Sequence, residues 1–130
     1  MKRILVVDDD PNSRKIVELM LLSQGYSLAF AENGQDAVDK ALMDPPDLIL
    51  MDVLMPILNG HEATKQLKLD ARTKRVPIIA LTALAFESDR REALAAGCDG
   101  YLSKPFTRRD LLASVRKFLP ETTPSQQALA

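Results

Sequence analysis

The chain predicts an α/β fold, a doubly wound parallel sheet with helices on both faces. Short apolar runs, Ile4-Leu5-Val6-Val7, Leu48-Ile49-Leu50-Met51 and Val76-Pro77-Ile78-Ile79-Ala80-Leu81, read as buried strands. Between them lie segments with apolar residues at helical spacing, closed by glycine or proline. Strand and helix alternate five times, an order that implies a parallel sheet because each strand is followed by a crossover helix.

The first strand ends abruptly at Asp8-Asp9-Asp10, where Asp10 is a candidate N-cap and Pro11 suits the first helical position. Ile16, Leu19, Met20 and Leu22 mark the apolar face of the first helix, with Gly25 as its C-cap. Tyr26 to Ala31 alternates weakly and reads as a shorter second strand. Asn33-Gly34 is a turn or helix start, and Ala37, Val38, Ala41 and Leu42 line one face of a helix that Pro45-Pro46 ends. The third strand runs into Asp52, where it leaves the core ahead of Pro56 and Asn59-Gly60. A third helix follows from about Asn59 to Asp70, with Ala63 and Leu67 on one side, and then a charged loop, Arg72 to Arg75. The fourth strand tolerates Pro77 near its start and ends at Thr82. A fourth helix spans roughly Phe86 to Ala96 and stops at Gly97. Asp99-Gly100-Tyr101-Leu102 is a short fifth strand ending at Ser103-Lys104-Pro105. Thr107 can cap the last helix, whose Leu111, Val115, Phe118 and Leu119 fall at i, i+4, i+7 and i+8. From Pro120 the pattern is lost, so residues 1–119 are expected as one domain and 120–130 as a flexible tail.

Composition narrows the function. At 130 residues, 46% hydrophobic and 27% charged, the chain has the make-up of a soluble globular domain. A net charge of −1 argues against a nucleic-acid partner, and Arg90-Arg91 and Arg108-Arg109 are pairs suited to solvated helix faces. Cys98 is the one cysteine, which excludes an intrachain disulfide and suggests a reducing compartment. Met1-Lys2-Arg3 precedes only four apolar residues, so no signal peptide is read, and no run is long enough to span a membrane. A cytoplasmic protein without a membrane partner is expected.

Parallel α/β sheets bind ligands at the carboxyl ends of their strands. There the first strand delivers Asp8 and Asp9, the third Asp52, the fourth Thr82 and the fifth Lys104. Two unit charges ~4 Å apart repel by roughly 4 kcal/mol at an effective dielectric of 20. Three carboxylates at one rim therefore call for a raised pKa or a hard divalent cation, and oxygen ligands without histidine or cysteine favour Mg²⁺ over zinc. A carboxylate beside such an ion and an ammonium is placed to attack a phosphoryl group, with a hydroxyl to bond one of its oxygens.

Four motifs stand in register: Val6-Val7-Asp8-Asp9, Met51-Asp52 with Pro56 and Gly60, Leu81-Thr82-Ala83, and Tyr101-Leu102-Ser103-Lys104-Pro105-Phe106. On them the chain, from about Arg3 to Leu119, resembles the receiver domain of two-component response regulators. The resemblance implies a flavodoxin-like (βα)5 sheet of order 2-1-3-4-5. It implies Asp52 as phospho-acceptor from a histidine kinase or histidine phosphotransfer protein. Asp8 and Asp9 would hold Mg²⁺, Asp9 more directly, with Asp52 and the Leu54 backbone carbonyl completing the protein's ligands. Thr82 would bond a phosphoryl oxygen on switching, and Tyr101 would follow it inward. Lys104 would pair with the acyl phosphate from a Lys104–Pro105 peptide that is typically cis. Output would pass to a protein target through the fourth helix, fifth strand and fifth helix. Leu54 and Leu84, two residues beyond Asp52 and Thr82, are apolar where the family often places polar groups, so slow self-dephosphorylation is expected.

Each residue alone has a plainer role. Asp10 reads only as a cap, His61 as an exposed helix residue, Cys98 as a small buried filler and the methionines as core; the plainer role for Tyr101 is packing. Rival functions meet specific obstacles. A haloacid-dehalogenase-like phosphatase wants a second acid where Leu54 stands, and a nucleotide or flavin site wants a Gly-rich loop where Asp8-Asp9-Asp10-Pro11 stands. A degenerate receiver would not keep the acidic pair, Asp52, Thr82 and Lys104. The expectation is a phospho-acceptor that is no enzyme beyond its own phosphotransfer and slow autodephosphorylation. Met1 and the short tail point to a stand-alone regulator; the alternatives are a phosphorelay shuttle or a receiver excised from a hybrid kinase.

Overall fold

The runs Ile4-Leu5-Val6-Val7, Leu48-Ile49-Leu50-Met51 and Ile78-Ile79-Ala80-Leu81 are apolar at every position, so both of their faces need cover, and helices supply it on both sides. In the computed structural model, which describes residues 1–53, 55, 57–83 and 87–120, the order is β1 (Arg3–Val7), α1 (Pro11–Met20), β2 (Ser27–Ala31), α2 (Gly34–Met43) and β3 (Leu48–Asp52). There follow α3 (Gly60–Leu69), β4 (Ile78–Thr82), α4 (Glu87–Ala96), β5 (Gly100–Ser103) and α5 (Arg108–Phe118). The strands form one parallel sheet of order β2-β1-β3-β4-β5, as the resemblance implied. The chain reverses its direction of winding at β1, so the crevice between β1 and β3 is the switch point.

Alternation along the strands sorts the core into two layers. Ile4, Val6, Leu48, Leu50, Ile79 and Leu81 pack with Val17, Leu21, Leu111 and Val115 of the α1–α5 side. Leu5, Val7, Ile49, Met51, Ile78 and Ala80 pack with Ala37, Val38, Ala63, Leu67 and Ala93 of the α2–α3–α4 side. Helix starts follow the expected capping chemistry. Asp10, Asn33, Asn59 and Thr107 are N-caps, and Thr107 and Asp110 form a reciprocal capping box.

Several expectations are corrected. The inward face of α1 is Val17, with Leu21 just past its end, whereas Ile16, Leu19 and Leu22 are more than half exposed. The helix stops at Met20 rather than at Gly25, because Leu22 N–H turns back to the Leu19 carbonyl and Ser23 (φ 68°) and Gly25 (φ 83°) are left-handed. His61 is not exposed: its side chain is 18% accessible, lying between α3 and α4 with Nε2 4.0 Å from Glu92 Oε2. Among the methionines only Met51 is fully buried, while Met1 and Met43 are exposed at helix and chain ends. Cys98 is a buried filler whose Sγ lies 3.8 Å from the Thr64 hydroxyl, and burial pushes its thiol pKa up. The expected helix residue Phe86, Leu54, Pro56, Leu84 and tail positions 121–130 lie outside the described residues.

At the amino-terminal end of the sheet, Lys68 of α3 donates to Asp99 Oδ2 (2.8 Å) and to the Val76 carbonyl (2.8 Å). Asp99 Oδ2 also accepts the Ile78 N–H at 2.9 Å, which ties α3 to the beginnings of β4 and β5. No helix among the described residues is long and apolar enough to cross a membrane.

Candidate functional site

The register brings three strand ends together. Val7 pairs with Met51 and Asp52 with Leu81, so the residues that follow β1 stand level with the end of β3. Asp8 and Asp52 continue the rows begun by Ile4 and Leu48, toward α1 and α5, and Lys104 continues the row of Leu102. Oxygens of Asp8, Asp9 and Asp52 all lie within 4.8 Å of one another. Lys104 Nζ lies 3.1 Å from Asp8 Oδ2 and 3.8 Å from Asp52 Oδ1. Lys104 N–H donates to the Thr82 carbonyl at 2.7 Å, which holds the residue beside the end of β4; the Lys104–Pro105 peptide is cis.

Burial grades the acids. Asp8 and Asp52 are buried, while Asp9 is exposed at the mouth. Asp8 Oδ1 accepts the Asp10 N–H at 2.9 Å, and the Asp8 carbonyl oxygen accepts Arg14 Nη1 at 2.6 Å. Burial pushes the Asp52 carboxyl up to about 6; Lys104 opposes this, Asp8 and Asp9 add to it, and the Val53 N–H opposes it again. Two or more carboxylates facing one small space with a single ammonium leave net negative charge, and an all-oxygen donor set suits a hard cation such as Mg²⁺.

Thr82 is buried at the end of β4 and falls on the opposite row, with Ile78 and Ala80. Tyr101, half-buried on β5 opposite Ala80, packs against the same layer. The Leu54 carbonyl, expected among the cation ligands, lies outside the described residues. Asp10 is confined to capping, accepting from Asn12 N–H and the Ser13 hydroxyl. Arg14 escaped the sequence reading, since a basic residue in a first helical turn carries no motif. An apolar cavity of about 330 Å³ opens beside Asp8 and Lys104, lined by Ile16, Val17, Met20 and Phe106.

Comparison with known proteins agrees with this geometry. The family model described as response regulator receiver domain matches residues 4–116. Response regulator MprA of Mycolicibacterium vanbaalenii is 43% identical over 126 residues, 97% of this chain but 54% of that protein. Protein PilH of Pseudomonas aeruginosa is 40% identical over 119 residues, 92% of this chain and 98% of its own. The chain thus spans about half the length of MprA and almost all of PilH. Chemotaxis protein CheY4 of Vibrio cholerae superposes with a TM-score of 0.85 at 33% identity, covering 91% of this chain and 98% of that one. The receiver domain of a Pseudomonas aeruginosa sensor histidine kinase, solved with a magnesium ion coordinated in its active site cleft, gives 0.86 at 39% identity, covering 92% and 98%. Motif order, sheet topology and the extent of these matches coincide, and the chain belongs to the response regulator receiver domain family of two-component signalling.

Proposed function

We propose that the domain accepts a phosphoryl group on Asp52 from a histidine kinase or a histidine phosphotransfer protein. The observation that carries this reading is the convergence of Asp52 with Asp8, Asp9 and Lys104 at the switch point of the sheet. An Asp52 oxygen attacks phosphorus, and the phosphohistidine imidazole leaves. Asp8, Asp9 and Asp52, with the Leu54 carbonyl, are the residues to hold Mg²⁺, which when bound offsets negative charge on the phosphoryl oxygens. Lys104 supplies a fixed positive charge beside Asp8 and Asp52, and Thr82, one residue beyond the β4 partner of Asp52, would offer its hydroxyl to a phosphoryl oxygen. Thr82 and Tyr101 share one face of the sheet, which supports a coupled movement that alters the α4–β5–α5 surface for a downstream protein.

We further read residues 1–119 as the working domain and 120–130 as a tail, in a cytoplasmic protein that signals by protein contact, without nucleic acid or membrane. The PilH match over nearly its whole length supports a stand-alone receiver, and the MprA match leaves room for a longer protein. Incubation with acetyl phosphate and Mg²⁺ is expected to add one phosphoryl group by intact mass, and Asp52→Asn to add none. Turnover of phosphate esters without an adduct would instead indicate a phosphatase, and no adduct a degenerate receiver. The acyl phosphate is expected to be long-lived, because apolar Leu54 and Leu84 do not orient a hydrolytic water. Leu54→Asn with Leu84→Glu is expected to shorten its decay several-fold in the same assay, and an unchanged decay would reject the shielding idea.

A further inference from the structure

We propose that Arg14 is a positioning residue for the cation site: its guanidinium, bonded to the Asp8 carbonyl, fixes the peptide that carries Asp9. This rests on the cation-binding reading above. The Asp8 carbonyl belongs to the peptide joining Asp8 to Asp9, one residue beyond the last position of β1. There the ladder has run out, since Val7 is the final residue paired with both Ala31 and Met51. Asp8 N–H still reaches the Ala31 carbonyl at 3.1 Å, but the Asp8 carbonyl accepts Arg14 Nη1 at 2.6 Å instead. Arg14 is itself anchored in the first turn of α1, its N–H donating to the Asp10 carbonyl at 3.0 Å. One side chain thus spans the acidic turn from the helix to the strand end.

The two acids differ in what restrains them. The Asp8 carboxylate is held on both oxygens, by the Asp10 N–H and by Lys104. The Asp9 carboxylate is exposed and accepts no hydrogen bond among the described residues, so its aim derives from its backbone. Arg14 lines a groove with Glu32 and Asp36, yet among the described residues its guanidinium lies within 4.0 Å of no carboxylate. A planar fork that takes a carbonyl where carboxylates line the same groove serves direction more than charge.

Charge and direction act with opposite signs. A cation near a divalent ion disfavours that ion, so charge alone predicts tighter Mg²⁺ binding when Arg14 is removed. Loss of direction predicts weaker binding, about tenfold for a residue that orients a ligand without touching the metal. Isothermal titration of Mg²⁺ into the wild type, Arg14→Met and Arg14→Lys separates them, with urea unfolding run on each. Arg14→Met is expected to bind about tenfold more weakly, and Arg14→Lys, which keeps charge and a donor, to lie between. Arg14→Gln, of the same expected sign, serves if the methionine variant does not fold. Equal binding with a lowered urea midpoint would reduce Arg14 to satisfying a strand-end carbonyl, and tighter binding would reduce it to a charge; either overturns the proposal. A wild type that takes up no Mg²⁺ overturns the cation site itself, and the positioning role with it.

Discussion

Gly60→Ala is expected to cost about 3 kcal/mol of folding stability, at the upper end for an overpacked position. A methyl carbon on Gly60 would stand 2.2 Å from the Asp52 carbonyl oxygen and 2.8 Å from the Val53 Cα. Both neighbours are backbone, so no rotamer change relieves the overlap. The helix start cannot withdraw cheaply either. Gly60 N–H donates to the Val53 carbonyl at 2.9 Å, and Asn59 caps the next turn through the Glu62 N–H at 3.0 Å. Against a typical domain stability of about 5–15 kcal/mol this loss is large, and it reads out as a lower urea midpoint with an unchanged slope. Gly25→Ala is the contrast: open space surrounds it, and only its φ of 83° is at stake, about 1 kcal/mol. A Gly60→Ala cost as small as that of Gly25→Ala would mean that α3 does not lean on the end of β3.

Asp52→Asn is expected to stabilise the metal-free protein at neutral pH while abolishing phosphorylation. The Asp52 carboxyl is raised from 3.8 to about 6, so the folded protein holds this proton more tightly than the unfolded chain does. Between those values the native state binds more protons, and stability attributable to this group falls as pH rises. The full penalty applies above about pH 6 and is absent below 3.8. A carboxyl moved that far corresponds to roughly 3 kcal/mol; solvent screening at the open mouth reduces the expected gain to about 1–2 kcal/mol. The advantage of the asparagine variant in urea unfolding should therefore shrink from pH 7 toward pH 4. Added Mg²⁺ should stabilise the wild type more than the variant and narrow the gap. A variant less stable than the wild type at pH 7 would show that the Lys104 attraction outweighs burial and the neighbouring acids.

What could be read from the residues depended on how local their determinants are. Asp10 and Thr107 were legible as caps, and Asn33 and Asn59 as helix starts, because a cap is made within a few residues of itself. The sheet-end acids were legible because unbroken apolar runs leave no doubt where each strand stops. The face of α1 was not, because Ile16, Val17, Leu19, Met20, Leu21 and Leu22 offer apolar groups all around the helix. Only the contact of Val17 and Leu21 with Leu111, Leu112 and Val115 across the chain selects the inward side. His61 was misjudged for the same reason, since the helix that covers it begins more than twenty residues later. Arg14 bonds a carbonyl, which every residue possesses, so its partner leaves no trace in the sequence.

The Lys68–Asp99 cluster sits at the pole of the sheet opposite the acids. Its bonds clamp α3 to the beginnings of β4 and β5, and Gly97, where α4 ends, leaves no room for a side chain against the Lys68 stem. Helix α3 is bonded at both poles, through the Lys68 ammonium at its base and through the Gly60 N–H and the Asn59 cap at the rim. A shift of the β3 end therefore reaches α3 at Gly60, the end of the helix away from its Lys68 mooring.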